Sequence, residues 1–352
     1  MGLLPTVLDV AESAGVSRQT VSNVLNSPSI VRPETRERVE AAIAKLGYRP
    51  HASARRLRTQ KSSTIGIRLD PITADGISGS IVDRFLHALT EQADAKNLRV
   101  TLFTADDPEG EIRQFQRLSD GADVDAFVLT STFHGDPRTE WLIEHGQPFV
   151  TFGRPWGIDD MNDPQHLWVD VDGWDGLQQA TTHLLSTGAR RVGYIGWPNP
   201  SGTGDDRRRG WLETMQASSG LSDTELEKLT VTTVDGVSLG ADAMRRLQAA
   251  AGRVDAVACA SDTLALGALM ATAGRIPVVG YDNTPVAASI RFSSVEQPLD
   301  EVAAGVLELL TGSHGGRVHS GSDSVSDPRH RLVKPRLVVR EYRPLESSAP
   351  DE

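Results

Sequence analysis

Thr6-Val7-Leu8-Asp9-Val10-Ala11-Glu12-Ser13-Ala14-Gly15-Val16-Ser17-Arg18-Gln19-Thr20-Val21-Ser22-Asn23-Val24-Leu25-Asn26 is the stretch from which the rest of the chain can be read. Thr6 and Asp9 have the spacing of a capping box, in which an N-cap hydroxyl and a carboxylate three residues on satisfy free backbone N–H groups. Val10, Ala11 and Ala14 then mark one apolar helix face, and Gly15-Val16 ends it. Ser17 suits the cap of a second helix that buries Val21, Val24 and Leu25. Beyond the loop Ser27-Pro28-Ser29, Pro33 fits a first helical position, Val39, Ala42, Ile43 and Leu46 form an apolar stripe, and Gly47 closes the helix. Three short helices with a glycine turn between the first two make a helix-turn-helix.

The second helix carries the side chains that reading a DNA major groove requires. Arg18 can donate two bonds to guanine O6 and N7, and Gln19 and Asn23 can pair with adenine N6 and N7. Ser17, Thr20 and Ser22 are short donors suited to phosphates, although local capping uses the same groups. Net charge is −11, which at first argues against nucleic acid, yet it is unevenly spread. Residues 1–61 hold ten Lys/Arg against five Asp/Glu, a balance of +5 that leaves −16 on the remainder. A basic module on an acidic body concentrates phosphate attraction at one end.

From Ser63 onward, β-rich runs alternate with amphipathic helical stretches. Thr64–Ile67, Arg99–Phe103, Asp125–Leu129, Pro148–Phe152, Arg191–Ile195, Asp255–Cys259 and Pro277–Tyr281 read as strands, and Ile81–Asp94, Leu177–Leu185 and Leu264–Met270 as helices. Such alternation predicts parallel sheets covered on both faces, and its length predicts two lobes with ligand bound at strand C-terminal ends. Gly202-Thr203-Gly204 lacks the third glycine of a dinucleotide turn, Gly76-Ile77-Ser78-Gly79 misses the nucleophile-elbow spacing, and the histidines show no metal-ligand spacing. No cofactor, metal or enzymatic activity is implied. One cysteine, Cys259, excludes an internal disulfide framework; with neither a secretory signal nor a long apolar span, the expectation is a cytoplasmic protein with no membrane partner.

Read in register, Thr6 to Asn26, Thr35-Arg36-Glu37-Arg38-Val39 and Leu46-Gly47-Tyr48-Arg49-Pro50 resemble the headpiece of the LacI/GalR repressor family. The resemblance spans nearly the whole chain. It implies an α/β architecture: a three-helix headpiece (1–49), a hinge helix or linker (50–62), a two-lobed periplasmic-binding-protein-like core (63–342) and a flexible tail (343–352). It places Thr6, Ser17, Arg18, Gln19, Thr20, Ser22 and Asn23 with the DNA-binding residues. His51-Ala52-Ser53-Ala54-Arg55-Arg56-Leu57-Arg58 is only about two turns long and marginal as a helix by itself. Here it resembles the family's hinge helix, with Leu57 as the minor-groove wedge, Ala54 at the close approach and Arg55 beside it; a basic linker with Leu57 packed on the core is the alternative. His51 stands where the family usually has asparagine.

In the core, the resemblance implies effector contacts from Asp70, from Arg207 in Arg207-x-x-Gly210-Trp211, and from Asp282 in Val279-Gly280-Tyr281-Asp282. Arg154 and Ser261 rank next, Asp262 is expected as a helix N-cap, and Trp156 or Trp197 could stack on a sugar or simply pack. Thr311–Arg329 is expected as a Gly/Ser/His-rich loop, Leu337–Arg340 as the closing strand, and the tail without leucine heptads points to a homodimer. The function implied is a repressor that leaves double-stranded operator DNA when a small sugar or glycoside binds. A corepressor-dependent regulator, or a sugar-binding protein without DNA function, are the alternatives.

Overall fold

The computed structural model describes residues 5–48, 62–69, 80–157, 161, 163–312 and 329–341. Ala54, Arg55, Leu57, Asp70 and the tail 343–352 lie outside the described residues. The chain divides into two compact units, Met1–Ser62 and Ser63–Glu352.

In the first unit, α1 (Val7–Ala14) begins at the capping box: the Asp9 carboxylate accepts from the Thr6 N–H at 2.7 Å and from its hydroxyl at 2.8 Å. Gly15 caps it in the left-handed region at φ 64°, where a Cβ is disfavoured. Helix α2 (Arg18–Asn26) starts on Ser17, whose Oγ accepts from the Thr20 N–H at 3.1 Å. A 3₁₀ turn (Pro28–Ile30) leads to α3 (Pro33–Leu46), which has proline in its first turn and left-handed Gly47 at its end. Val10, Ala11, Ala14, Val21, Val24, Val39, Ala42 and Tyr48 form the core.

The second unit is two lobes. Lobe 1 opens with β1 (Thr64–Arg68), α4 (Ser80–Ala95), β2 (Arg99–Phe103), α5 (Pro108–Asp120) and β3 (Ala126–Leu129). It continues with α6 (Pro137–Glu144), β4 (Phe149–Phe152) and β5 (Leu167–Val171). The chain then crosses to lobe 2: α7 (Gly173–Ser186), β6 (Val192–Gly196), α8 (Thr203–Ser218), α9 (Asp223–Lys228), β7 (Thr230–Thr232) and α10 (Val237–Ala251). Lobe 2 is completed by β8 (Ala256–Cys259), α11 (Asp262–Ala271), β9 (Val278–Tyr281), α12 (Pro285–Ile290) and β10 (Ser293–Glu296). A second crossing returns to lobe 1 for α13 (Leu299–Thr311) and β11 (His330–Val333), and a third ends in lobe 2 with β12 (Arg336–Val338).

The sheets run β11-β5-β4-β3-β1-β2 and β12-β10-β9-β8-β6-β7. Every pairing is parallel except β10 with β12, which is antiparallel in register Ser294↔Val338. Central strands such as Ala126–Leu129 and Ala256–Cys259 are buried along their whole length, as expected where helices cover both faces. Phe127 and Leu129 pack with Phe115 and Leu142 under α5 and α6, whereas Val128 faces Phe85, Leu89, Val302 and Val306 of α4 and α13. In both sheets the order reverses beside the first strand of the lobe, β1 or β6, which is the point where such folds open a crevice. No helix among the described residues is long and apolar enough to cross a membrane.

Candidate functional site

In the first unit, Arg18, Gln19, Ser22 and Asn23 occupy the stretch of α2 that leaves the core side to Val21 and Val24. Arg18 and Gln19 are exposed, and Gln19 Nε2 donates to Asn23 Oδ1 at 3.0 Å, which links the two amides. Ser17 and Thr20 hydroxyls bond each other at 2.9 Å, and the Thr6 hydroxyl is engaged by Asp9. Their capping work is thus explicit, while Arg18 keeps its guanidinium exposed.

In the second unit the strand ends converge on a cavity of about 320 Å³ between the lobes. Lobe 1 lines it with Thr130, Ser131 and Thr132 after β3, Phe152 and Gly153 at β4, Asp170 and Val171 at β5, and Ile81 and Val82 in the first turn of α4. Lobe 2 contributes Trp197 after β6, Asp235 after β7, Ser261 after β8 and Asp282 after β9, with Ser201, Thr203 and Arg207 at the start of α8. Gln297, on the crossing after β10, completes the wall.

Arg207 is 5% exposed, with its guanidinium carbon 3.6 Å from the Tyr281 ring centroid and 5.1 Å from that of Trp197. Nη1 donates to the Ala260 carbonyl at 2.5 Å and Nη2 lies 4.0 Å from Asp282 Oδ1. Its buried Nε has no hydrogen-bond partner among the described residues. Asp282 sits at φ 109°, a strained backbone for a residue with a side chain, and its Oδ1 accepts from Gln297 Nε2 at 2.7 Å. Its main-chain oxygen accepts from Arg84 Nη1 of α4 at 3.1 Å, so this lobe-2 residue is held from lobe 1 as well. Burial pushes the Asp282 carboxyl up to about 7, with Arg207 opposing the shift.

Ser261 lines the cavity, and it is also the N-cap of α11, accepting from the Leu264 N–H at 3.1 Å and donating to Asp235 at 2.5 Å. The expectation that Asp262 caps this helix is corrected. Asp262 is the first helical residue and is buried, accepting from Thr284 N–H at 2.7 Å and from the Ser294 hydroxyl at 2.5 Å. Arg154 does not line the cavity. Its Nε bonds Asp170 at 2.7 Å and its Nη2 bonds Asp206 of α8 at 2.6 Å, so it ties one lobe to the other while lying 4.5 Å over the Trp156 ring. Trp156 is buried against Gly202, whereas Trp197 faces the cavity and donates to Asp235 at 3.1 Å. Thr130, Asp170, Asp235 and Gln297 are lining residues that the motifs did not single out. Thr130 and Asp170 stand at the ends of the apolar strands β3 and β5, and that position is the signal that finds them; Asp235 and Gln297 follow strands that carry no such signal.

A helix-turn-helix unit with Arg18 and Gln19 exposed on its second helix, in one chain with a two-lobe core that has a polar cleft at its strand ends, defines a ligand-responsive DNA-binding regulator. A family model described as bacterial regulatory proteins, lacI family, matches residues 6–51, and one described as a periplasmic binding protein-like domain matches residues 181–341. The chain is 34% identical over 350 residues to the HTH-type transcriptional regulator CelR of Thermobifida fusca, covering 96% of this chain and 98% of CelR. It belongs to the lacI family of bacterial regulatory proteins and is a DNA-binding transcriptional regulator. The structure of a CelR–cellobiose complex superposes with TM-score 0.66 at 30% identity, over 96% of this chain and all of that one. The lac repressor dimer bound to operator and the anti-inducer ONPF superposes with TM-score 0.76 over 97% and 99% of the two chains; at 22% identity, that likeness concerns the fold.

Proposed function

We propose that the chain is a cytoplasmic, non-catalytic repressor that binds a near-palindromic operator as a homodimer and releases it when an uncharged sugar or glycoside enters the cleft. The domain division is 1–49 headpiece, 50–62 hinge and 63–342 core. Arg18, Gln19 and Asn23 read bases, Thr6, Ser17, Thr20 and Ser22 fix the headpiece on phosphates, and the hinge residues Ala54, Arg55 and Leu57 enter the minor groove. Asp70, Arg207, Ser261 and Asp282 contact the effector, and Arg154 acts through the Asp170 carboxylate that it orients.

The observation that carries this reading is the chemistry of the cleft in the second unit, in a chain whose first unit exposes Arg18 and Gln19. Among the described lining residues, Asp170, Asp235 and Asp282 stand against the single cation Arg207. Carboxylates and a guanidinium bind neutral hydroxyls well, through charge-assisted hydrogen bonds. With Asp170 paired to Arg154, the remaining carboxylates offset Arg207, so an anionic ligand such as a sugar phosphate meets no surplus of positive charge there. CelR, in complex with cellobiose, supplies a relative whose bound ligand is of this neutral kind.

The test has two arms. Genomic fragments captured at low and high salt and then sequenced should yield one recurrent near-palindrome whose retention falls steeply with salt. Fragments without a shared motif contradict the operator reading. A thermal-shift screen should show melting raised by a neutral mono- or disaccharide and unchanged by sugar phosphates, since a ligand preferring the native state stabilises it. Stabilisation by the phosphates alone contradicts the assignment of effector class.

A further inference from the structure

We propose that Arg138, which does not touch the cleft, positions the loop Thr130–Thr132 that does, and thereby sets which sugar the cleft accepts. The proposal rests on reading the cleft as a sugar site. Arg138 is 2% exposed, and its guanidinium gathers several elements of lobe 1. Nη1 donates to Glu111 of α5 at 2.8 Å, while Nε and Nη2 hold Asp136 at 2.8 and 2.6 Å. Nη2 also donates to the main-chain oxygens of Thr130 and Ser131, each at 3.2 Å. The Phe133 ring lies against the same guanidinium at 5.5 Å, and Arg68 at the end of β1 approaches the shared Glu111 oxygen at 3.3 Å.

Buried ion clusters add little net stability, because desolvation of the charges offsets their attraction. Phe115, Phe127 and Leu142 already close this side of the sheet with apolar contacts. What the cluster supplies is geometry. Ser131 has φ 56°, a conformation unfavourable for serine that persists only where its surroundings over-determine it. Arg138 grips the carbonyls on either side of the Thr130–Ser131 junction and so fixes that turn. Thr130 Oγ1 is buried and has no hydrogen-bond partner among the described residues, and Thr130, Ser131 and Thr132 line the cavity in succession. A shift of the turn displaces all three polar groups relative to Asp282 and Arg207 on the opposite lobe.

The test uses the full chain and titrates glucose, cellobiose, maltose and lactose by calorimetry, with melting curves in parallel. Arg138→Lys keeps a cation beside Glu111 but lacks the planar fork needed to hold Asp136 and two carbonyls together. The double variant Arg138→Met/Asp136→Asn removes the guanidinium together with the buried carboxylate it holds, while Glu111 keeps Arg68 at 3.3 Å, which avoids leaving a charge of the cluster buried and unpaired. The expected result is that at least one variant folds cooperatively and binds operator normally. In it, the best sugar binds about tenfold more weakly, the loss of roughly one hydrogen bond, and discrimination between best and second-best sugar shrinks. A folded variant with wild-type affinities and ranking overturns the proposal. So does failure of both variants to fold, which makes the cluster a folding element. If the wild-type chain binds none of the four sugars while its operator binding is intact, the sugar reading itself fails for this panel and the proposal falls with it.

Discussion

Arg18 and Gln19 open helix α2 one residue after the Ser17 cap, where side chains project ahead of the helix into whatever it approaches. A bidentate arginine–guanine contact is worth about 1–3 kcal/mol of discrimination at one base pair. Arg18→Ala is therefore expected to relax preference at a single operator position, measured by binding to a panel of operators with single substitutions. A uniform loss across the panel places Arg18 on phosphate instead. Within the cleft, Asp282 is the residue whose protonation matters. Its carboxyl is raised from an ordinary 3.8 to about 7, so the native state retains a proton that the unfolded chain has lost. Stability contributed by this group is present at acid pH and falls away as pH rises through that window. Asp282→Asn should accordingly raise the melting temperature more at pH 8 than at pH 5. Effector affinity moves the other way. A carboxylate accepts from sugar hydroxyls better than the acid does, so wild-type affinity rises from pH 6 to pH 8, and the asparagine variant is weak and flat. A wild-type affinity independent of pH across that range contradicts this role.

At the scale of elements, Arg207-x-x-Gly210-Trp211 works as a packing device as much as a binding motif. A Cβ on Gly210 would lie 2.1 Å from the Trp174 carbonyl, so the missing side chain is what lets α8 press on α7. Trp211 donates to the Val192 carbonyl at 3.1 Å and fixes α8 on the sheet, and Arg207 is thereby aimed into the cleft. Gly210→Ala should cost about 1–3 kcal/mol, the usual scale of an overpacked contact, and should weaken effector binding as Arg207 moves; denaturant melts and sugar titrations check both. Much of this level was legible in advance. The caps at Thr6 and Ser17 and the glycine at Gly15 are local chemistry, and the runs at Ala126–Leu129 and Val278–Tyr281 announce strands by apolar content alone. Asp282 and Arg207 could be found because short motifs carry them. Asp235 and Gln297 could not, since β7 is three residues long and β10 (Ser293–Glu296) is as polar as a loop. Arg154 was expected as an effector contact, whereas its place as an inter-lobe tie was not legible, because its partner Asp206 lies 52 residues along the chain and is brought near only by the fold. The same holds for Asp262, whose hydrogen bonds to Thr284 and Ser294 take it out of the capping role its position suggested.

For the whole molecule, the separation of charge and the separation of lobes combine into one mechanism. The basic amino-terminal segment is drawn to phosphate and the acidic remainder is not, so DNA is met in one orientation. The lobes are joined by three crossings and tied by Arg154–Asp206 and by Arg84 to the Asp282 carbonyl. A ligand that engages Asp282 and Arg207 from one side and Thr130 from the other alters the balance of those ties. It can shift operator affinity only by the difference between its affinities for the two arrangements. Such coupling is typically about 1–3 kcal/mol and is necessarily reciprocal. The decisive measurement is a titration of the full chain with its stabilising sugar, once alone and once saturated with operator. Induction predicts that operator weakens sugar binding about 5- to 150-fold, the same factor by which sugar weakens operator binding. Equal sugar affinity in the two titrations contradicts control of DNA binding from the cleft.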